Sequence, residues 1–159
     1  MTEPQLREIQ GFLDAFEQLN HGPERECCFE FEQVEWAGDL QTSLEGHFDR
    51  LPGTHPHWQL TTEKMPTGLE GLRPVLESWF FGATFGGTAG LSSQVTTDSR
   101  RASVGQFLRF LADFFGAEHL GLWRIYLHSP EGPAPSVTAD NFALERGRHV
   151  YWLHLDCTD

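Results

Sequence analysis

From Pro4 to Asn20 the positions of one face fall three and four residues apart, at Leu6, Ile9, Leu13, Phe16 and Leu19 or Asn20. That is the spacing of one helix face. Thr2 is placed to cap this helix, with Glu3 and Pro4 in its first turn, and Asn20-His21-Gly22-Pro23 stops it. The period then changes from helical to two. Between Glu24 and Trp36, Cys27, Phe29 and Phe31 alternate with Cys28, Glu30 and Glu32, the pattern of a half-buried strand. The apolar phase jumps to Val34 and Trp36, which predicts a bulge near Gln33. After an Ala37-Gly38-Asp39 turn, Leu40 to Phe48 reads as a second strand and Trp58 to Glu63 as a third. The Pro and Gly content of residues 50–56 makes the stretch between them a loop.

Beyond this, Leu72, Val75, Leu76, Trp79 and Phe80 form a helical stripe within Leu69–Phe81, with Pro74 tolerated if the helix starts near Gly71. Gly82 to Gly90 reads as a loop and Leu91 to Thr97 as a short strand. Ser103 to Phe115 carries Phe107, Leu108, Phe110, Leu111, Phe114 and Phe115, a wide stripe that marks a central packing helix ended by Gly116. Leu122–His128 is a strand, Ser129–Ser136 a proline-rich loop, Phe142–Glu145 a short strand or turn, and Arg148–Asp156 an apolar strand of interior character. The order αβββα(β)αββ predicts an α+β fold. Its antiparallel sheet has about five strands, with two or three helices packed mainly on one face. The 159 residues fit a single domain, 1–159.

Charge narrows the function classes. Acids number 23 against 11 lysines and arginines, a net of −12. Residues 1–50 alone hold twelve acids and three bases, so the charge is concentrated in the first third. Direct nucleic-acid binding and binding to anionic membranes both need basic surface and are disfavoured. No apolar run approaches the roughly 20 residues of a membrane span. The first ten residues lack the basic and apolar regions of a secretory signal. Three cysteines, Cys27, Cys28 and Cys157, cannot all pair, and the adjacent two point to opposite strand faces. These features predict reduced thiols and a cytoplasmic setting.

Glu24, Glu26, Glu30 and Glu32 share one parity, so a regular strand sets them on one face around Cys28. Such a row of like charges is stabilised by arginines nearby, by a metal or by a basic partner. Together with Glu35 these residues are the candidate surface for a basic protein partner. The predicted function is a non-catalytic binding module: a small acidic antagonist, immunity or chaperone-like protein, without a cofactor, acting as a monomer or homodimer. The alternative is a metal-dependent enzyme or metal-binding domain. Its ligands are His47, Asp49, His55 and His57, of the imidazole and carboxylate types that Zn or Fe takes. His154 and Asp156 share parity on the last strand and are expected to meet His128 if those strands pair. Arg100-Arg101 is expected to bridge to the acidic strand. The glycine-rich run at 85–90 lacks the lysine and spacing of a phosphate loop.

Overall fold

A computed structural model of the chain describes residues 3–21, 25–51, 59–81, 95–116, 120–128 and 138–158. Among them the chain forms α1 (Glu3–Asn20), β1 (Glu26–Val34), α2 (Leu40–Phe48), β2 (Gln59–Lys64), a 3-10 turn (Gly68–Leu72), α3 (Arg73–Phe80), α4 (Thr97–Phe115), β3 (Gly121–His128), β4 (Thr138–Arg146) and β5 (His149–Thr158). The strands make one antiparallel sheet in the order β1-β5-β4-β3-β2. The fold is α+β, as the pattern predicts. No helix among the described residues is long and apolar enough to cross a membrane.

Two apolar layers sandwich the sheet. One face packs against α1, α3 and α4 through Leu13, Phe29, Phe31, Trp79, Phe80, Phe107 and Leu153. Phe12, Phe16, Phe80 and Phe107 interlock there at ring separations of 4.4–5.9 Å. The other face packs against α2 through Val34, Leu44, Phe48, Ile125, Ala143, Val150 and Trp152.

That second layer corrects two sequence expectations. Leu40–Phe48 is a helix, not a strand. Asp39 sits at its N-cap in extended conformation, and its carboxylate accepts from Thr42 N at 2.8 Å and from the Thr42 hydroxyl at 3.0 Å. There is also no bulge at Gln33, because β1 pairs with β5 without interruption from Glu26↔Thr158 to Val34↔Val150. The apolar phase changes because a different face becomes buried. Cys27, Phe29 and Phe31 point into the helical layer, whereas Val34 points the other way, beneath α2.

The remaining differences are in extent. β1 begins at Glu26, α4 starts six residues before Ser103, and β4 is a full nine-residue interior strand. The helix expected over 69–81 is split into the 3-10 turn and α3, with Pro74 in the first turn of α3. Val95 to Thr97 forms no strand; Thr96 caps α4 instead. The glycine-rich run 82–90 and residues 91–94 lie outside the described residues. β4 and β5 form a hairpin closed by Arg146↔His149, with Gly147 at φ 62°, a conformation that favours glycine at a two-residue turn.

β1 is an edge strand, and α1 shields its free side. Gln10 Nε2 donates to Phe29 O at 2.9 Å, Phe31 N donates to Gln10 Oε1 at 2.8 Å, and Phe29 N donates to Glu17 Oε2 at 3.0 Å. Polar side chains of α1 thus take the place of a sixth strand at Phe29 and Phe31.

Candidate functional site

Since Phe29 and Phe31 turn their backbone groups toward α1, Cys28, Glu30 and Glu32 turn theirs toward β5. The side chains alternate correspondingly. Glu26, Cys28, Glu30 and Glu32 stand on the face opposite the helical layer, in register with Thr158, Asp156, His154 and Trp152. α2 covers the Trp152 end of this face, where the His47 ring lies 4.8 Å from the Trp152 ring. Toward the Glu26 end the face carries the carboxylates of β1 together with His154 and Asp156 of β5.

At the centre is a polar array anchored on Asn141 of β4. Its Oδ1 accepts from Trp152 Nε1 at 2.9 Å and stands 2.8 Å from His154 Nδ1. An amide oxygen only accepts, so the neutral His154 ring holds its proton on Nδ1 and leaves Nε2 as an acceptor. That Nε2 lies 3.9 Å from Asp156 Oδ2. The His154 ring also stacks on Trp152, with centroids 4.8 Å apart. Burial pushes His154 down to about 4, so the imidazole is neutral near pH 7. His47 is likewise pushed down, chiefly by burial and then by Arg50.

The carboxylates move the other way. Burial holds Glu30 above its usual range, the Cys28 thiol partly offsets this, and the charges of Glu32 and Glu17 add to it. Burial raises Glu32, against the pull of Arg50. Asp156 is raised by burial and lowered by the Cys157 backbone N–H; its Oδ1 is buried with no hydrogen-bond partner among the described residues. Of the groups that shift these three acids, the one cation is Arg50, which acts on Glu32 and pairs with Glu35 at 3.1 Å. Two histidines therefore sit among carboxylates without neutralising them. Among the described residues the face is rich in acceptors, and Arg50 is the cation that acts on it.

The predicted partner-binding residues divide. Glu26, Glu30 and Glu32 share the face, Glu35 lies past the strand end in its exposed pair with Arg50, and Glu24 is outside the described residues. Of the predicted metal set, His47 is buried with Nε2 3.2 Å from Glu32 Oε1, and Asp49 is exposed at the end of α2. His55 and His57 are outside the described residues. Among the described residues no three His, Cys, Asp or Glu side chains gather as a metal site requires.

His128 does not meet His154. β5 pairs with β1 and β4, and β3 is one strand further away. His128 also has the parity of Leu122, which faces the helical layer, whereas His154 faces away from it. It stacks on Tyr126 and contacts the Thr61 hydroxyl at 3.1 Å. Nearby on that side Arg124 pairs with Asp140, which also accepts from Trp79 Nε1 at 2.8 Å. Arg100 serves the start of α4, donating to Val95 O and lying over the Phe81 ring, instead of bridging to the acidic strand.

Cys27 and Cys157 are bonded as a disulfide, which corrects the expectation of three reduced thiols. Cys28 is free and exposed on the acidic face. Partial shielding of its sulfur by the neighbouring side chains, followed by the charge of Glu30, pushes its thiol up to about 12, so it is a poor nucleophile at neutral pH.

No family model matches the chain, and no curated protein matches it. Among solved structures it is similar to one described as the crystal structure of citrus MAF1, at 16% identity and a TM-score of 0.49, covering 96% of this chain and 98% of that one. At that identity and score the likeness does not bear on function.

Proposed function

We propose that the protein is a non-catalytic binding module that engages a basic partner protein through the face formed by Glu26, Glu30, Glu32 and Asp156. One observation carries this reading: the strand register sets Glu26, Glu30 and Glu32 of β1 on one face with His154 and Asp156 of β5, and among the described residues Arg50 is the cation that acts on Glu32 there. The charges of Glu32 and Glu17 bear on Glu30, and a cation laid across the face relieves that repulsion. The acceptors on offer are carboxylate oxygens and the His154 Nε2 lone pair. Their complement is a donor-rich cation, and the planar guanidinium of arginine with its five N–H groups suits them best. A small acidic antagonist or immunity protein, or a chaperone for a basic client, would use such a face to steer and hold its target. A cytoplasmic setting belongs to the same reading. A disulfide there is expected to be transient or redox-responsive, not a permanent staple.

The test is calorimetric titration with an arginine-rich dodecapeptide. The wild-type chain is compared with Glu30→Gln/Asp156→Asn and with Glu8→Gln/Asp113→Asn, which removes two exposed charges elsewhere. The first variant is expected to bind about tenfold more weakly and the second within about twofold of wild type. Wild-type affinity should fall as salt rises from roughly 0.02 to 0.5 M. Equal losses in both variants would mean that net charge alone attracts the peptide, and the acidic face would lose its claim.

A further inference from the structure

The disulfide lies on the helical-layer side of the sheet, at the end of the β1–β5 pair whose other side carries Glu26, Cys28 and Asp156. Cys27 and Cys157 are register partners one pair from the end of the β1–β5 ladder, with Glu26↔Thr158 beyond them and Cys28↔Asp156 before them. Cys27 has the parity of Phe29 and Phe31, whose backbone groups turn toward α1, so it opposes Cys157 at a non-hydrogen-bonded position. The Cα atoms are 4.0 Å apart. At this step of the ladder the sulfur bridge stands where no backbone hydrogen bond joins the strands. The α1 contacts to the outer side of β1 reach Phe29 and Phe31. Glu26, Cys28 and Asp156 all lie within two residues of a bonded sulfur, and Glu30 lies three from Cys27. Glu26 and Asp156 therefore sit on the strand end that the bond ties.

We propose that the Cys27–Cys157 bond is a redox clasp for this face: formed, it keeps the ends of β1 and β5 paired and the carboxylates in a fixed row; reduced, it releases that end and weakens binding of a basic partner. The binding half of this proposal rests on the acidic-face reading above. Opening is a thiol–disulfide exchange. Two small thiols such as glutathione each supply one hydrogen, the S–S bond becomes two cysteine thiols, and the small thiols leave as their own disulfide. Closing runs the reverse, with a small disulfide as the two-electron oxidant. Both protein sulfurs are buried, so exchange waits on fraying of the strand end. Cys28 does not compete, because it faces the other side of the sheet and its thiolate population is minute. The released Cys27 thiol has a partner ready: its sulfur lies 3.8 Å from Asn20 O.

The full chain is poised in oxidised or reduced glutathione and followed by amide hydrogen exchange and by titration with the arginine-rich dodecapeptide at low salt. On reduction, the amides of residues 26–28 and 156–158 are expected to exchange about tenfold faster while those of β3 and β4 hold steady. Peptide affinity is expected to fall about tenfold and to return on reoxidation. Cys27→Ala/Cys157→Val, which keeps the pair apolar and packed, should behave as the reduced protein in either buffer; Cys28→Ser should still respond to redox. Unchanged exchange overturns the clasp. Faster exchange with equal binding in both redox states overturns the gate and leaves the acidic-face reading standing. If neither redox state binds the peptide, that reading fails and the gating half fails with it, while exchange alone decides whether the bond pins the strand end.

Discussion

Asn141 offers the sharpest test of how the face is built. Its Oδ1 accepts from two donors, Trp152 Nε1 at 2.9 Å and His154 Nδ1 at 2.8 Å, and the residue is 7% exposed. Asn141→Ala leaves both without their acceptor. A buried donor stranded in this way costs about 1–3 kcal/mol. Trp152 is sealed at 3% exposure, so its N–H takes roughly the middle of that range, about 2 kcal/mol. The His154 side chain is 17% exposed, so water replaces part of what it loses and about 1 kcal/mol is appropriate. The expected loss is therefore about 3 kcal/mol, or roughly 6–12 °C in Tm for a domain of this length.

Urea unfolding followed by tryptophan fluorescence measures the loss. A Trp152→Phe background separates its two parts. With the indole N–H already gone, Asn141→Ala should cost about 2 kcal/mol less, a coupling of the size expected for residues in contact. Nitrogen chemical shifts of His154 supply an independent readout. The wild-type ring should be the Nδ1–H tautomer, and Asn141→Ala should mix in the other form. A loss below roughly 1 kcal/mol, or the same loss in both backgrounds, would show that the Asn141 oxygen does not organise the array.

Three further outcomes follow from the same structure. His154 has a folded pKa of about 4 against an ordinary 6.5, so the unfolded chain binds more protons between those values and stability falls as pH drops through that window. The full difference is about 3 kcal/mol by linkage, and the raised Glu30, Glu32 and Asp156 oppose it by binding protons in the folded state. His154→Gln should flatten this slope between about pH 6.5 and 4, leaving the share that the likewise lowered His47 contributes, measured by urea unfolding at a series of pH values; an unchanged slope would assign it elsewhere. Glu30→Gln should stabilise the free protein by a few tenths of a kcal/mol while weakening peptide binding, and a stability loss would refute the claim that the row is strained by like charge. Asp39→Ala removes the cap of α2 and should cost about 1 kcal/mol in the same assay, with Asp39→Asn restoring most of it.

Much of the fold was legible because its largest signals are local. The stripe at Phe107, Leu108 and Leu111 names a helix whatever lies around it, and the alternation at Cys27–Phe31 names a strand. What stayed hidden depended on a second layer. Leu40–Phe48 is short, and its apolar residues Leu44 and Phe48 fit several periods. Asp39 directly before Leu40 is an N-cap signal that points to a helix there. Val34 is ambiguous for the same reason, since a phase change can mean a bulge or a newly covered face. Gln33 separates the two only once the partner strand is known.

The site followed the same division. One-strand parity sufficed to gather Glu26, Glu30 and Glu32, because side chains alternate whatever strand lies beside them. The groups that give the face its character arrive from β5 and β4, through strand order and register that no single segment encodes. Asp156 stands opposite Cys28, and His154 stands between Glu30 and Asn141. Asn141 had no placement in the sequence, since β4 read only as a short strand from Phe142 onward. The disulfide depended on the same pairing. Cys27 and Cys157 are 130 residues apart in sequence, and only the antiparallel match of the first strand with the last sets them opposite each other. The topology that closes the sheet therefore also brings the covalent tie and the acidic row to one end of one strand pair. The tie and the row thus share one strand end, which is what lets redox state and partner binding be tested together.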